Sequence, residues 1–115
     1  MLENLFSELS LTNILLLDDD EQIIESHGPD TQALASANII SIVKTGLAQP
    51  IKVETDIYQP LQLTNRALLA EEQLSGSYLI LSRIKDRFLI ATAQNVDPGL
   101  LMFQLEKALR DLLSV

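Results

Sequence analysis

The sequence predicts an α+β domain built on an antiparallel sheet. Two pairs of short apolar runs separated by turn-forming residues, at 12–24 and 78–92, have the pattern of β-hairpins, which pair antiparallel. Segments with helical spacing surround them at residues 2–9, 31–47 and 98–113. The length of 115 residues fits one domain over 1–115, with no spare chain for a second core.

In chain order, Leu2, Leu5, Phe6 and Leu9 stand at i, i+3, i+4 and i+7, the stripe of a short amphipathic helix. Two turns are not stable alone, so this helix must lean on a larger body. Residues 12–17 form an apolar run ending in Asp18-Asp19-Asp20-Glu21. Ile23 and Ile24 follow, with a stop at Gly28-Pro29, so the acids occupy the first hairpin's turn. Asp30 or Thr31 can cap a helix over 31–47. Its apolar residues cover about half the circumference, and Lys44 is its only charge. A helix apolar on one side and uncharged on the other predicts burial on both, with a second subunit as the outer cover.

Residues 48–66 mix polarity around Pro50 and Pro60; a loop, a weak strand near 51–57 or a short helix all fit. Residues 67–74 read as a strand with some helical propensity, followed by a Ser75-Gly76-Ser77 turn. The second hairpin then turns at Lys85-Asp86-Arg87. Asp97 and Pro98 are a helix N-cap and first helical residue. Leu101, Met102, Leu105, Ala108, Leu109, Leu112 and Leu113 make the last helix's stripe, with Glu106, Lys107, Arg110 and Asp111 facing away.

The net charge of -8 argues against a nucleic-acid partner, whose binding depends on cations neutralising phosphates. The first basic residue is Lys44, and eight acids precede it, so the N-terminal third carries the whole excess. No apolar run approaches the roughly 20 residues of a membrane helix, so no membrane insertion is expected. The absence of cysteine excludes thiolate chemistry and disulfides; with no basic lead or apolar signal core, a cytoplasmic location is expected.

The residues for catalysis are few. His27 is the one histidine and has no triad pattern around it; the four glycines form no phosphate loop. Neither a catalytic site nor a cofactor is expected, and the chain reads as a binder of other proteins. Asp18-Asp19-Asp20-Glu21 lacks the spaced ligands and central glycine of an EF-hand and reads as a solvated turn. Residues 14–21 also resemble the first strand and acidic pocket of response-regulator receiver domains. That alternative implies phosphorylation of Asp56 with Mg²⁺ at Asp18 and Asp19. Gly28-Pro29, the polar 52–55 segment and a missing Lys-Pro pair oppose it.

The run from Asn13 to Gly28, the small-residue-rich segment 33–42, residues 76–92 and the Asp97-Pro98-Gly99-Leu100-Leu101 helix entry together resemble the Roadblock family. That resemblance implies a five-stranded antiparallel sheet in the order α-β-β-α-β-β-β-α, the second helix on one face and the terminal helices on the other. It also implies a dimer, with itself or a related subunit, through paired second helices, matching the uncharged helix 31–47. The function implied is a non-enzymatic adaptor that binds a small Ras-like GTPase or scaffolds a complex. Its contact surface would combine Asn38, Ser41 and Thr45 of the second helix with Leu69, Glu71 and Gln73 of the third strand.

Overall fold

Strand β1 (Asn13–Leu17) is buried along its whole length, on both faces, which explains why it reads as a continuous apolar run rather than an alternation. It is covered on both sides. In the computed structural model, which describes residues 2–114, α1 (Leu2–Glu8) and α4 (Pro98–Leu113) pack on one face of the sheet. On the other lie α2 (Thr31–Ser36) and α3 (Ile39–Thr45). The remaining strands are β2 (Ile23–His27), β3 (Ile51–Val53), β4 (Asp56–Leu63), β5 (Ala67–Glu72), β6 (Ser77–Ile84) and β7 (Arg87–Gln94).

All seven join one antiparallel sheet in the order β2-β1-β7-β6-β5-β4-β3. Consecutive strands pair as hairpins, apart from β2 and β3, which form the two edges; β1 also pairs with β7 (Leu15 opposite Ile90) and ties the two ends of the chain together. Strand alternation sorts the core. Leu15, Leu17, Leu68, Leu79, Leu81, Phe88 and Ile90 face α2 and α3; Ile14, Leu16, Leu69, Ile80 and Leu89 face α1 and α4. Leu101, Leu105 and Leu109, one turn apart each time, seat α4, and each buried leucine contributes about 1.5–3 kcal/mol. The Asp97 carboxylate accepts the N–H groups of Gly99 (3.0 Å) and Leu100 (3.2 Å), a cap of about 1 kcal/mol.

Two expectations are corrected. The sheet has seven strands rather than five, because residues 51–63 form the β3–β4 hairpin. Pro60 does not break β4, since it sits at a register shift where the ladder needs no N–H. Edge strand β3 is three residues long, with Pro50 before it and exposed Lys52 inside it, devices that discourage further pairing. Second, the expected helix 31–47 is two short helices broken at Ala37, which is extended (φ -77°, ψ 166°). In one straight helix, Leu34, Ile39, Ile40, Ile42 and Val43 would span about 240° of the circumference at roughly 100° per residue. No single sheet could cover that arc. The break re-aims the second piece so that all five are buried in one core. Asn38, Ser41 and Thr45 are left in solvent, and no second subunit is needed to cover them. No helix among the described residues is long and apolar enough to cross a membrane.

Candidate partner-binding face

Helix α4 packs chiefly over β6. A groove is left open between α4 and the β4–β5 hairpin. Its floor includes Ala67 and Ser82, and its helix wall is Met102, Phe103 and Glu106, around a volume of about 370 Å³. It runs on into a recess of about 450 Å³ bounded by Asn65, Arg66, Ile84, Lys85 and Arg110, with Arg66, Arg83 and Glu106 common to both. Phe103, Glu106 and Arg110, at i, i+3 and i+7, therefore form one stripe of α4 facing the opening. Phe103 is 64 % exposed, a large aromatic held in water beside a groove.

Turns and α4 deliver the cations that line this corner, and β6 carries Arg83. Thr64 Oγ1 accepts the N–H groups of Arg66 (3.1 Å) and Ala67 (3.0 Å), and the Arg66 carbonyl accepts the Arg83 N–H (2.8 Å), so the β4–β5 turn is fixed to β6. The Arg83 guanidinium lies 5.3 Å from the Phe88 ring centroid and donates to the Asn65 carbonyl at 3.4 Å. Lys85 holds a left-handed backbone (φ 55°) in the tight β6–β7 turn. Arg110 is held on the helix by Glu106 at 2.8 Å. Among the described residues Arg66, Arg83 and Lys85 have no carboxylate within ion-pair distance. Arg66, Lys85 and Arg110 with Glu106 line this corner, an excess of two positive charges on a chain of net charge -8, while the Arg83 guanidinium turns to Phe88 on the α3 face. The arrangement suits a partner that brings carboxylates and an apolar patch for Phe103.

The six residues expected to form a contact surface are divided by the sheet. Asn38, Ser41 and Thr45 are exposed on the α3 side, where the Thr45 hydroxyl donates to the Ser41 carbonyl (2.8 Å). Leu69 and Glu71 point to the α4 side; Leu69 is only 4 % exposed and belongs to the core there. The Glu71 carboxylate raises the Tyr78 phenol above its ordinary range by hydrogen bonding, with burial adding to the effect. Gln73 lies in the turn after β5. The sequence pattern missed Arg66 and Phe103. One signal was present: Phe103 is a large aromatic standing off the apolar stripe of an amphipathic helix.

The receiver alternative fails on topology. Asp18 and Asp19 sit in the β1–β2 turn, where Asp18 Oδ1 accepts the N–H groups of Asp20 and Gln22, whereas Asp56 opens β4 near Asn13, at the other end of β1. An antiparallel sheet has no buried parallel strand to deliver a phospho-acceptor. Among the described residues no group of three His, Asp or Glu side chains converges on a metal position. His27 is engaged with Glu25 (2.8 Å) and packs near Phe6.

Neither a protein-family model nor a curated protein matches the sequence. Solved structures do match the fold. LokiProfilin2, in a complex with rabbit actin, superposes with a TM-score of 0.80 at 15 % identity, covering 99 % of this chain and 93 % of that one. The fold is that of the profilins. LokiProfilin1 on its own gives 0.80 at 12 % identity over 99 % and 93 % of the two chains. Profilin IB of Acanthamoeba castellanii gives 0.72 at 15 % identity over 95 % and 90 %. The profilin fold overturns the Roadblock reading, and with it the homodimer through paired second helices and the small-GTPase partner. Roadblock-like element order was legible on both sides of residues 48–66, but the two further strands needed to tell the folds apart, β3 and β4, lie inside that stretch.

Proposed function

We propose that this chain is a non-enzymatic, actin-binding protein of profilin type that acts in the cytoplasm and engages actin through the groove between α4 and β4–β5. The observation that carries the reading is the near-complete superposition on LokiProfilin2, a protein solved in complex with rabbit actin. The groove supports it from the side of chemistry. It is an open apolar and cationic face on an acidic protein, and its central residues Phe103 and Arg66 are exposed. A buried aromatic anchor ringed by charges is the usual anatomy of a protein-binding hot spot.

Equilibrium binding to monomeric rabbit actin, followed by sedimentation velocity, tests the proposal. A one-to-one complex is expected. Phe103→Ala combined with Arg66→Glu weakens it by roughly tenfold or more, about 1.4 kcal/mol or more, the scale of a lost anchor. Ser41→Arg with Thr45→Arg, on the opposite side of the sheet, leaves it unchanged. No complex, or a loss confined to the α3 variant, contradicts the assignment.

A further inference from the structure

The groove between α4 and the β4–β5 hairpin is polarised across its width. Where its two parts meet, the hairpin side presents Arg66 and the helix side Glu106. Glu106 is the one carboxylate in the lining of either part, and among the described residues no ion pair joins it to Arg66. Two walls of opposite sign are thus held apart, with room between them for a partner's own charges.

The internal partner of Glu106 does not remove it from the site. Arg110 Nη2 lies 2.8 Å from Glu106 Oε1, one helical turn away, and the two side chains are 66 % and 52 % exposed. Exposed i,i+4 pairs are among the weakest ion pairs, so Arg110 can exchange this bond for a partner carboxylate at little loss. Glu106 then needs a new partner of its own. A surface bringing only carboxylates would set them against Glu106 as water leaves the groove. Like charges brought together across an interface suppress binding, and a carboxylate buried without a partner is worse still. A base opposite Glu106 removes both penalties.

We infer that the surface seated in this groove presents one basic side chain to Glu106, flanked by carboxylates that meet Arg66 across the groove and Arg110 with Lys85 at its far end. The stripe Phe103, Glu106, Arg110 fixes the order along α4 as apolar group, base, acid. Glu106 is the specificity-determining residue, because it rejects surfaces that are acidic throughout. The inference rests on the actin-binding function proposed above and names the chemistry by which that site selects its partner.

The test is equilibrium binding of monomeric rabbit actin to Glu106→Gln, to Arg110→Gln and to the double variant. Both positions are exposed and glutamine is a good helix former, so these chains keep the fold. Glu106→Gln weakens binding about tenfold, the lower end for a close interfacial charge pair. It does so by the same factor in the Arg110→Gln background, which assigns the loss to a contact with the partner rather than to the placing of Arg110. Binding that Glu106→Gln leaves unchanged or tightens, the outcome for a partner bringing acids alone, overturns the inference and leaves the proposed function standing. A loss that vanishes in the Arg110→Gln background does the same. No complex with the parent chain contradicts the proposed function, and the inference falls with it.

Discussion

Replacing Gly28 with alanine should be among the most damaging single changes available in this chain. Gly28 joins β2 to α2 with φ +119°, a region that side-chain-bearing residues rarely adopt. A Cβ built there meets Asn13 Oδ1 and the Thr12 carbonyl oxygen at 2.5 Å each, and Asn13 Cα at 2.8 Å. These neighbours cannot yield cheaply. Thr12 N–H is bonded to the Thr92 carbonyl (2.8 Å), and Asn13 is buried while bonding Thr92 Oγ1 (2.9 Å) and the Asp30 N–H (2.8 Å). Backbone strain costs about 1–3 kcal/mol, and displacing at least one buried hydrogen bond adds about 1–3 kcal/mol. A loss of roughly 2–6 kcal/mol is expected, a large part of the 5–15 kcal/mol typical of a domain. Urea denaturation should show a lower midpoint with an unchanged slope. Gly76→Ala is the internal control: φ is +72°, yet nothing lies within 4 Å of the added carbon, so strain alone should cost about 1 kcal/mol. Equal losses at the two sites, or a loss under about 1 kcal/mol at Gly28, would refute the close-approach argument.

Two other consequences follow from single residues. The Glu25 carboxyl is lowered below its ordinary range chiefly by the hydrogen bond from His27, with the Leu2 N–H (2.8 Å) adding to it against the opposing effect of burial. A depressed carboxylate stabilises the fold above its unfolded value of about 4.3 and loses that contribution as pH falls through the lower folded value. Glu25→Gln should therefore reduce stability at neutral pH and flatten the acid limb of a denaturation profile; an unchanged limb would show that Glu25 does not hold α1 to β2. Glu54 holds φ +56° in the β3–β4 turn and is exposed, so Glu54→Gly should stabilise the hairpin by about 0.5–1 kcal/mol in thermal unfolding.

How much was legible depended on where each residue's structure is decided. The β1–β2 and β6–β7 hairpins and the capped α4 follow from local pattern: Leu15 and Leu17 against Ile14 and Leu16, Leu101 with Leu105 and Leu109, and Asp97 before Pro98. The break at Ala37 is decided by tertiary packing, since nothing in residues 31–47 disfavours a continuous helix more strongly than one sheet's inability to bury five side chains across that arc. Strand β4 escaped notice because only Tyr58 is buried along it, and Gln59, Pro60 and Gln62 carry no alternation. That one hidden hairpin separates seven strands from five, and the profilin fold from the Roadblock one. The candidate face was hidden for another reason. Arg66, Lys85 and Arg110 are far apart in sequence, and a balanced charge count after Lys44 conceals the corner where the fold gathers them.

Hydrogen exchange of this chain with and without monomeric rabbit actin tests the central claim most directly. The account predicts slowed exchange in the β4–β5 turn around Arg66, in the β6–β7 turn at Lys85 and along α4 near Phe103, with α3 unaffected. No protection anywhere, or protection confined to Asn38, Ser41 and Thr45, would contradict it.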